Sequence, residues 1–247
     1  MHRTRIKICG LTRAEDVAAA VAAGADALGF VFYPKSTRHV TPAQAAGLMA
    51  LVPPFIATVG LFVNASAREV ADAVAIAPVS LLQFHGDESP QACAEAAALA
   101  NRPYVVAVRV RPDMKAADLL EYEIRCRRAS TLFAGLLLDA FVDGYGGGGK
   151  VFDWSVIPEE LAPRVVLGGG LHVQNATDAV TTVRPHALDV SSGVERSDDG
   201  TRRPGIKDAA LIAAFIDAVR CADARTTGAA LPRCMPNEDT AISKDQT

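Results

Sequence analysis

A chain of 247 residues, 50% hydrophobic and 21% charged, has apolar material for one large core, and its net charge of -3 gives no basic field for nucleic acid or an anionic membrane. The five cysteines, at positions 9, 93, 126, 221 and 234, are odd in number and lack C-x-x-C spacing, which argues against a disulfide framework and a zinc site. Met1 to Arg5 leads straight into a strand, with no signal-like apolar core, and no apolar run approaches a membrane span. A soluble cytoplasmic protein is expected, its oligomeric state left open between monomer and homodimer.

The first apolar run, Arg5 to Gly10, reads as a short strand ending at a glycine. Alternation puts Arg5, Lys7 and Cys9 on one face and Ile6 and Ile8 on the other. Two cations and a thiol on one face suit the inside of a barrel or a site. Thr12, with Glu15 three residues on, predicts a capping box that opens a helix closed by Gly24. Ala27 to Phe32 is a nearly continuous apolar strand of the kind buried on both faces, followed by a polar loop from Tyr33 to His39. The alternation continues with a helix from Thr41 to Leu51, a strand from Thr58 to Val63, a helix from Ser66 to Ile76 and a strand from Leu81 to His85. A helix from Gln91 to Leu99, a strand from Tyr104 to Val110, a helix from Met114 to Arg127 and a strand from Phe133 to Asp139 come next.

The glycine-rich stretch from Asp143 to Lys150 reads as a mobile loop. A helical stretch from Trp154 to Leu161 leads to a strand from Arg164 to Leu167 and to Gly168-Gly169-Gly170. A helix from Val173 to Val183, a strand from Ala187 to Val190 ending in Ser191-Ser192-Gly193, and a helix from Lys207 to Cys221 complete the pattern. Eight strand-helix pairs with short buried strands predict an α/β fold: a single (βα)8 TIM barrel of eight parallel strands over residues 1–222. Residues 223–247 lack apolar periodicity and carry two prolines, which predicts a disordered C-terminal tail with Cys234 exposed on it.

In such a barrel the C-terminal strand ends carry the chemistry, and here they are polar or glycine: Cys9, Arg38, His85, Asp139, Asp189 and two glycine/serine clusters. Each alone has an ordinary explanation, since a free cysteine is usually a small buried hydrophobe, a strand-end aspartate a cap, and a lone histidine structural. Their coincidence on one rim points to a site. Gly169 and Gly170 after the seventh strand, with Ser191, Ser192 and Gly193 after the eighth, have the pattern of a phosphate cradle in which bare backbone N–H groups approach the anion. No G-x-x-x-x-G-K-[ST] motif is present, which argues against a nucleoside triphosphate.

Lys7-Ile8-Cys9-Gly10, Gly29-Phe30-Val31-Phe32, Pro34 to Arg38, Val59 to Asn64, Leu82-Gln83-Phe84-His85-Gly86, Leu138-Asp139 and Asp189 to Glu195, with Pro204-Gly205 and Lys207-Asp208, resemble the phosphoribosylanthranilate isomerase family of tryptophan biosynthesis. The resemblance spans residues 5 to about 220. It implies an Amadori rearrangement of N-(5-phosphoribosyl)anthranilate with Cys9 as general base and Asp139 as general acid. It also implies Arg38 on the anthranilate carboxylate, contributions from His85 and Asp189, a phosphosugar as the small-molecule partner, and neither metal nor other cofactor. Departures are Gly168, Arg202-Arg203 and the tail. Two alternatives stand beside it: the related aminoaldose isomerase of histidine biosynthesis, which has a carboxylate where Cys9 stands, and a phosphosugar-binding barrel without turnover.

Overall fold

The computed structural model describes residues 3–140 and 151–227. Eight parallel strands close into a barrel in chain order: β1 (Arg5–Cys9), β2 (Ala27–Val31), β3 (Ala57–Phe62), β4 (Leu81–Phe84), β5 (Tyr104–Val110), β6 (Phe133–Ala140), β7 (Val166–Leu167) and β8 (Ala187–Val190). The ring is sealed where β1 pairs β8, with Arg5 opposite Ala187 and Lys7 opposite Asp189. On its other side β1 pairs β2, with Cys9 opposite Gly29. Outside run α1 (Ala14–Ala23), α2 (Pro42–Met49), α3 (Ala67–Ile76), α4 (Pro90–Ala100), α5 (Ala116–Ala129), α6 (Val173–Asp178) and α7 (Ala209–Thr227).

Strand parity sorts the side chains as expected. Ile6, Ile8, Leu28, Phe30 and Leu82 join the main core between strands and helices. On that outer surface Phe32, Phe62, Phe84, Tyr104 and Phe133 form a chain of ring contacts, with centroids 5.2 to 6.4 Å apart, that ties β2 through β6 together. Cys9, Val31, Leu61 and Val63 instead make a small cluster of their own with Tyr33. Lys7 and Gln83 share that inward parity, and both are buried.

Five local expectations are corrected. Trp154 to Leu161 is not a helix: the chain makes short 3-10 turns at Trp154–Val156 and Ala162–Arg164, because Pro158 and Pro163 remove donors and clash with a preceding helical turn. Thr12 does not cap α1; its hydroxyl donates to the Gly205 carbonyl at 2.5 Å, and Arg13 stands at the cap position without a side-chain capping bond. Between β8 and α7 the chain forms an antiparallel hairpin, β9 (Glu195–Asp198) and β10 (Thr201–Lys207), so Lys207 ends a strand and does not begin the helix. The last helix continues through 223 to Thr227, beyond the boundary expected at 222. Cys9, Cys93 and Cys126 are free and buried, whereas Cys221 is disulfide-bonded, against the expectation of unpaired thiols. The glycine-rich loop expected at 143–150 and the tail beyond 227, with Cys234, lie outside the described residues. No helix among the described residues is long and apolar enough to cross a membrane.

Candidate active site

The C-terminal end of β1 sets Cys9 inside the barrel mouth, 4% exposed. Gly29 makes the room: a Cβ there would lie 2.8 Å from Sγ of Cys9 and 3.1 Å from Cε of Lys7. Two residues back on the same face, Lys7 Nζ donates to Asp189 Oδ1 at 2.8 Å across the β1–β8 seam. Both side chains of this ion pair are more than nine-tenths buried. Burial pushes the Cys9 thiol above its ordinary pKa; the Lys7 ammonium pulls it back by charge and hydrogen bond, and Asp189 pushes it up again. Burial alone would lower the Lys7 pKa, but Asp189 and then Cys9 hold it above its ordinary value, so it stays charged. Asp189 thus anchors the lysine beside the thiol.

On the far wall β6 presents Asp139. Its Oδ2 lies 3.0 Å from Nε2 of His85, and its Oδ1 accepts the Ala140 N–H at 2.8 Å. His85 follows β4 directly, and its Nδ1 receives Nε2 of Gln83 at 2.9 Å. Gln83, His85 and Asp139 thus form a continuous line of hydrogen bonds from the barrel interior to the rim.

The two glycine/serine loops come together as expected. Gly169 and Gly170 have φ of 79° and 65°, left-handed values that favour glycine. A Cβ on Gly169 would lie 2.3 Å from the Ala140 nitrogen and 2.7 Å from Oδ1 of Asp139. An isolated parallel bridge joins His172 to Gly193, where a Cβ would come within 1.9 Å of the Leu171 carbonyl oxygen. Only glycine lets the loop after β8 lie this close to the loop after β7. Ser191 donates its hydroxyl to the Cys9 carbonyl at 3.1 Å, which links this cradle to the end of β1. Ser192 lies buried between Ser191 and Gly193.

Arg38 is not a solvated loop charge. Its Nε and Nη2 donate to the two oxygens of Glu195 at 2.7 and 2.9 Å, and Glu195 also accepts from the Gly205 N–H at 2.8 Å. Lys207, fully buried, reaches Glu195 at 3.3 Å and the Ser191 carbonyl at 3.0 Å. Burial works against the Glu195 carboxylate, but the Arg38 hydrogen bond and the Lys207 charge hold its pKa below the ordinary value. The side edge of the guanidinium is taken, and its Nη1/Nη2 end keeps a fork suited to a planar carboxylate. Gly10 (φ 76°) permits the approach, since a Cβ there would lie 2.5 Å from Cδ of Arg38.

Sequence reasoning assigned no role to Gln83, Glu195 or Lys207. Gln83 had a signal: a carboxamide at inward parity in an otherwise apolar strand, two residues before His85. Glu195 and Lys207 lay in recognised motifs, but the pairing of Glu195 with Arg38 crosses 157 residues and has no local trace.

A closed (βα)8 barrel with a thiol, a histidine-bonded carboxyl and joined glycine/serine loops on one rim defines an acid/base enzyme of the phosphosugar-handling barrels. The family model for N-(5'-phosphoribosyl)anthranilate isomerase matches residues 6–218. The chain belongs to that family. It is 63% identical over 224 residues to the enzyme of that name from Herminiimonas arsenicoxydans, covering 91% of this chain and 96% of the relative. Among solved structures, the Thermotoga maritima phosphoribosyl anthranilate isomerase is 38% identical with a TM-score of 0.75, covering 87% of this chain and 98% of that one. A second, solved with reduced 1-(o-carboxyphenylamino)-1-deoxyribulose 5-phosphate, is 36% identical with a TM-score of 0.73 over the same shares. Family membership removes the histidine-pathway alternative.

Proposed function

We propose that Cys9 and Asp139 are the base and acid of an Amadori rearrangement that converts N-(5-phosphoribosyl)anthranilate into 1-(2-carboxyphenylamino)-1-deoxyribulose 5-phosphate in tryptophan biosynthesis. The observation that carries the proposal is the pairing, on one rim, of a thiol beside a buried ammonium with a carboxyl held by a histidine. Asp139 gives its proton to the furanose ring oxygen, the C1–O bond breaks, and the nitrogen lone pair forms an iminium with C1. The Cys9 thiolate then takes the proton from C2, leaving an enolamine. Protonation at C1 and loss of the 2-hydroxyl proton give the ketone. Gly169, Gly170, Ser191, Ser192 and Gly193 hold the phosphate through backbone N–H groups, and the free end of Arg38 holds the anthranilate carboxylate. Gripping both ends fixes the reacting carbons between acid and base. The cytoplasm, where such phosphosugars are made and consumed, is the matching compartment.

The chemistry needs a protonated carboxyl and an ionised thiol together. Carboxylic acids ordinarily titrate below thiols, and burial widens that gap here by raising Cys9. The competent pair is then a minority form. Its population is flat between the two pKa values and falls tenfold for each unit by which they separate. The alkaline limb of the rate profile reports the thiol.

Purified protein given phosphoribosylanthranilate should form the ketose phosphate without added cofactor. Asp139→Asn should lower kcat by about 10²- to 10⁴-fold with little change in KM; near-normal turnover of a folded Asp139→Asn variant would refute the acid assignment.

A further inference from the structure

Gln83 is fully buried in β4, between Leu82 and Phe84, which face the helices. Its Nε2 donates to Nδ1 of His85 at 2.9 Å, while its Oε1 is buried with no hydrogen-bond partner among the described residues. A bare buried carboxamide oxygen is costly, so packing alone would favour an apolar residue here. What the carboxamide supplies is a donor to the imidazole. A ring nitrogen that accepts an N–H cannot carry a proton itself. With Nδ1 so occupied, the ring proton sits on Nε2, aimed at Oδ2 of Asp139 3.0 Å away.

We propose that Gln83 is a positioning residue for the acid: by donating to Nδ1 it sets the His85 tautomer, with the ring proton on Nε2, and so fixes the direction of the Nε2–H···Oδ2 bond that holds the Asp139 side chain at the rim. The proposal rests on the reading of Asp139 as the acid. Other charges face the same space. Arg109, opposite Asp139 in strand register, pairs with Asp87; Glu88 accepts from the backbone N–H groups of Asn64 and Gly86; Lys7 and Asp189 pair with each other. His85 touches the carboxyl directly, so its orientation acts on Asp139 most strongly.

The test reads the imidazole itself. In uniformly 15N-labelled protein, long-range proton-nitrogen correlations, assigned to His85 by their loss in His85→Asn, report which ring nitrogen is protonated. The neutral ring of His85 should show a bare Nδ1 and a protonated Nε2. The other tautomer, with the proton on Nδ1, would overturn the proposal even if no Gln83 variant folds. In Gln83→Met, the neutral ring should lose its fixed tautomer and show both forms. With Asp139 less well held, kcat should fall about tenfold with KM nearly unchanged. A folded Gln83→Met with wild-type ring signals and kcat would also overturn it, because a purely structural glutamine would leave both in place. Failure of the acid assignment shows separately, as turnover by Asp139→Asn, and leaves the ring measurement untouched.

Discussion

Lys7 stands between two partners that pull in opposite senses. It is bonded to Asp189 at 2.8 Å, and its charge and hydrogen bond lower the pKa of the Cys9 thiol that burial raises. Removing the ammonium leaves burial opposed only by the weaker pull of the Lys207 charge. In Lys7→Met the thiol should titrate higher, so the alkaline limb of kcat/KM should move to higher pH, and the plateau should fall about tenfold for each pH unit the limb moves. Asp189→Asn combined with it avoids an unpaired buried carboxylate and should preserve folding. An alkaline limb that stays in place would show that Lys7 does not act on the thiol. Strand parity made Lys7 and Cys9 legible as neighbours, because a period of two is fixed by the pleat. Asp189 was legible as a rim residue, but its partner was not, since pairing across the β1–β8 seam depends on barrel closure.

The hairpin β9–β10 is the element least visible in the chain. Its strands, Glu195-Arg196-Ser197-Asp198 and Thr201 to Lys207, have no apolar alternation, and Pro204 and Gly205 read as turn residues. What fixes it is the buried cluster of Glu195 with Arg38, Lys207 and the Gly205 N–H, which ties the hairpin to the loop after β2. Glu195→Gln would leave two buried cations without their counter-charge, at a cost of about 3–5 kcal/mol at neutral pH. Because the folded pKa of Glu195 lies below its unfolded value, its stabilisation is complete above the ordinary glutamate range and is lost as pH falls through the folded value. The Tm gap between wild type and Glu195→Gln should therefore be wide at neutral pH and close on acidification below about 4.5. A gap independent of pH would show that the carboxylate charge is not what holds the hairpin. The eight strands, by contrast, were readable because each is a short apolar run bounded by helical periodicity, a pattern that burial on both faces imposes. The stretch from Trp154 to Leu161 misled because its apolar spacing is helical while Pro158 and Pro163 forbid the hydrogen bonds.

At the scale of the molecule, barrel closure depends on joining the two ends of the chain. The N–H and hydroxyl of Thr4, just before β1, both donate at 2.8 Å to Asp223, which lies on α7 past the boundary expected at 222. Arg220 on the same helix donates to the carbonyl of Gly24 at 3.2 Å, closing α7 over α1. Composition placed the boundary too early because Asp223 and Arg225 read as tail residues, whereas the helix carries the buried Ala222 and Ala224 in the same turns. Removing residues 223–247 should lower Tm more than removing 228–247, by about 2–4 °C for each kcal/mol of lost hydrogen bonding. Equal Tm values for the two truncations would show that Asp223 contributes nothing to closure.

Removal of the C2 proton by the Cys9 thiolate is the step on which everything else turns, and the most direct measurement is the turnover of Cys9→Ser on phosphoribosylanthranilate carrying hydrogen or deuterium at C2. A hydroxyl is a far weaker base under the same geometry, so kcat should fall by about 10²- to 10⁴-fold with KM little changed, and a primary isotope effect should appear as proton removal becomes limiting. A serine variant that turns over at close to the wild-type rate, with the same isotope effect as wild type, would contradict the assignment of Cys9 as the base.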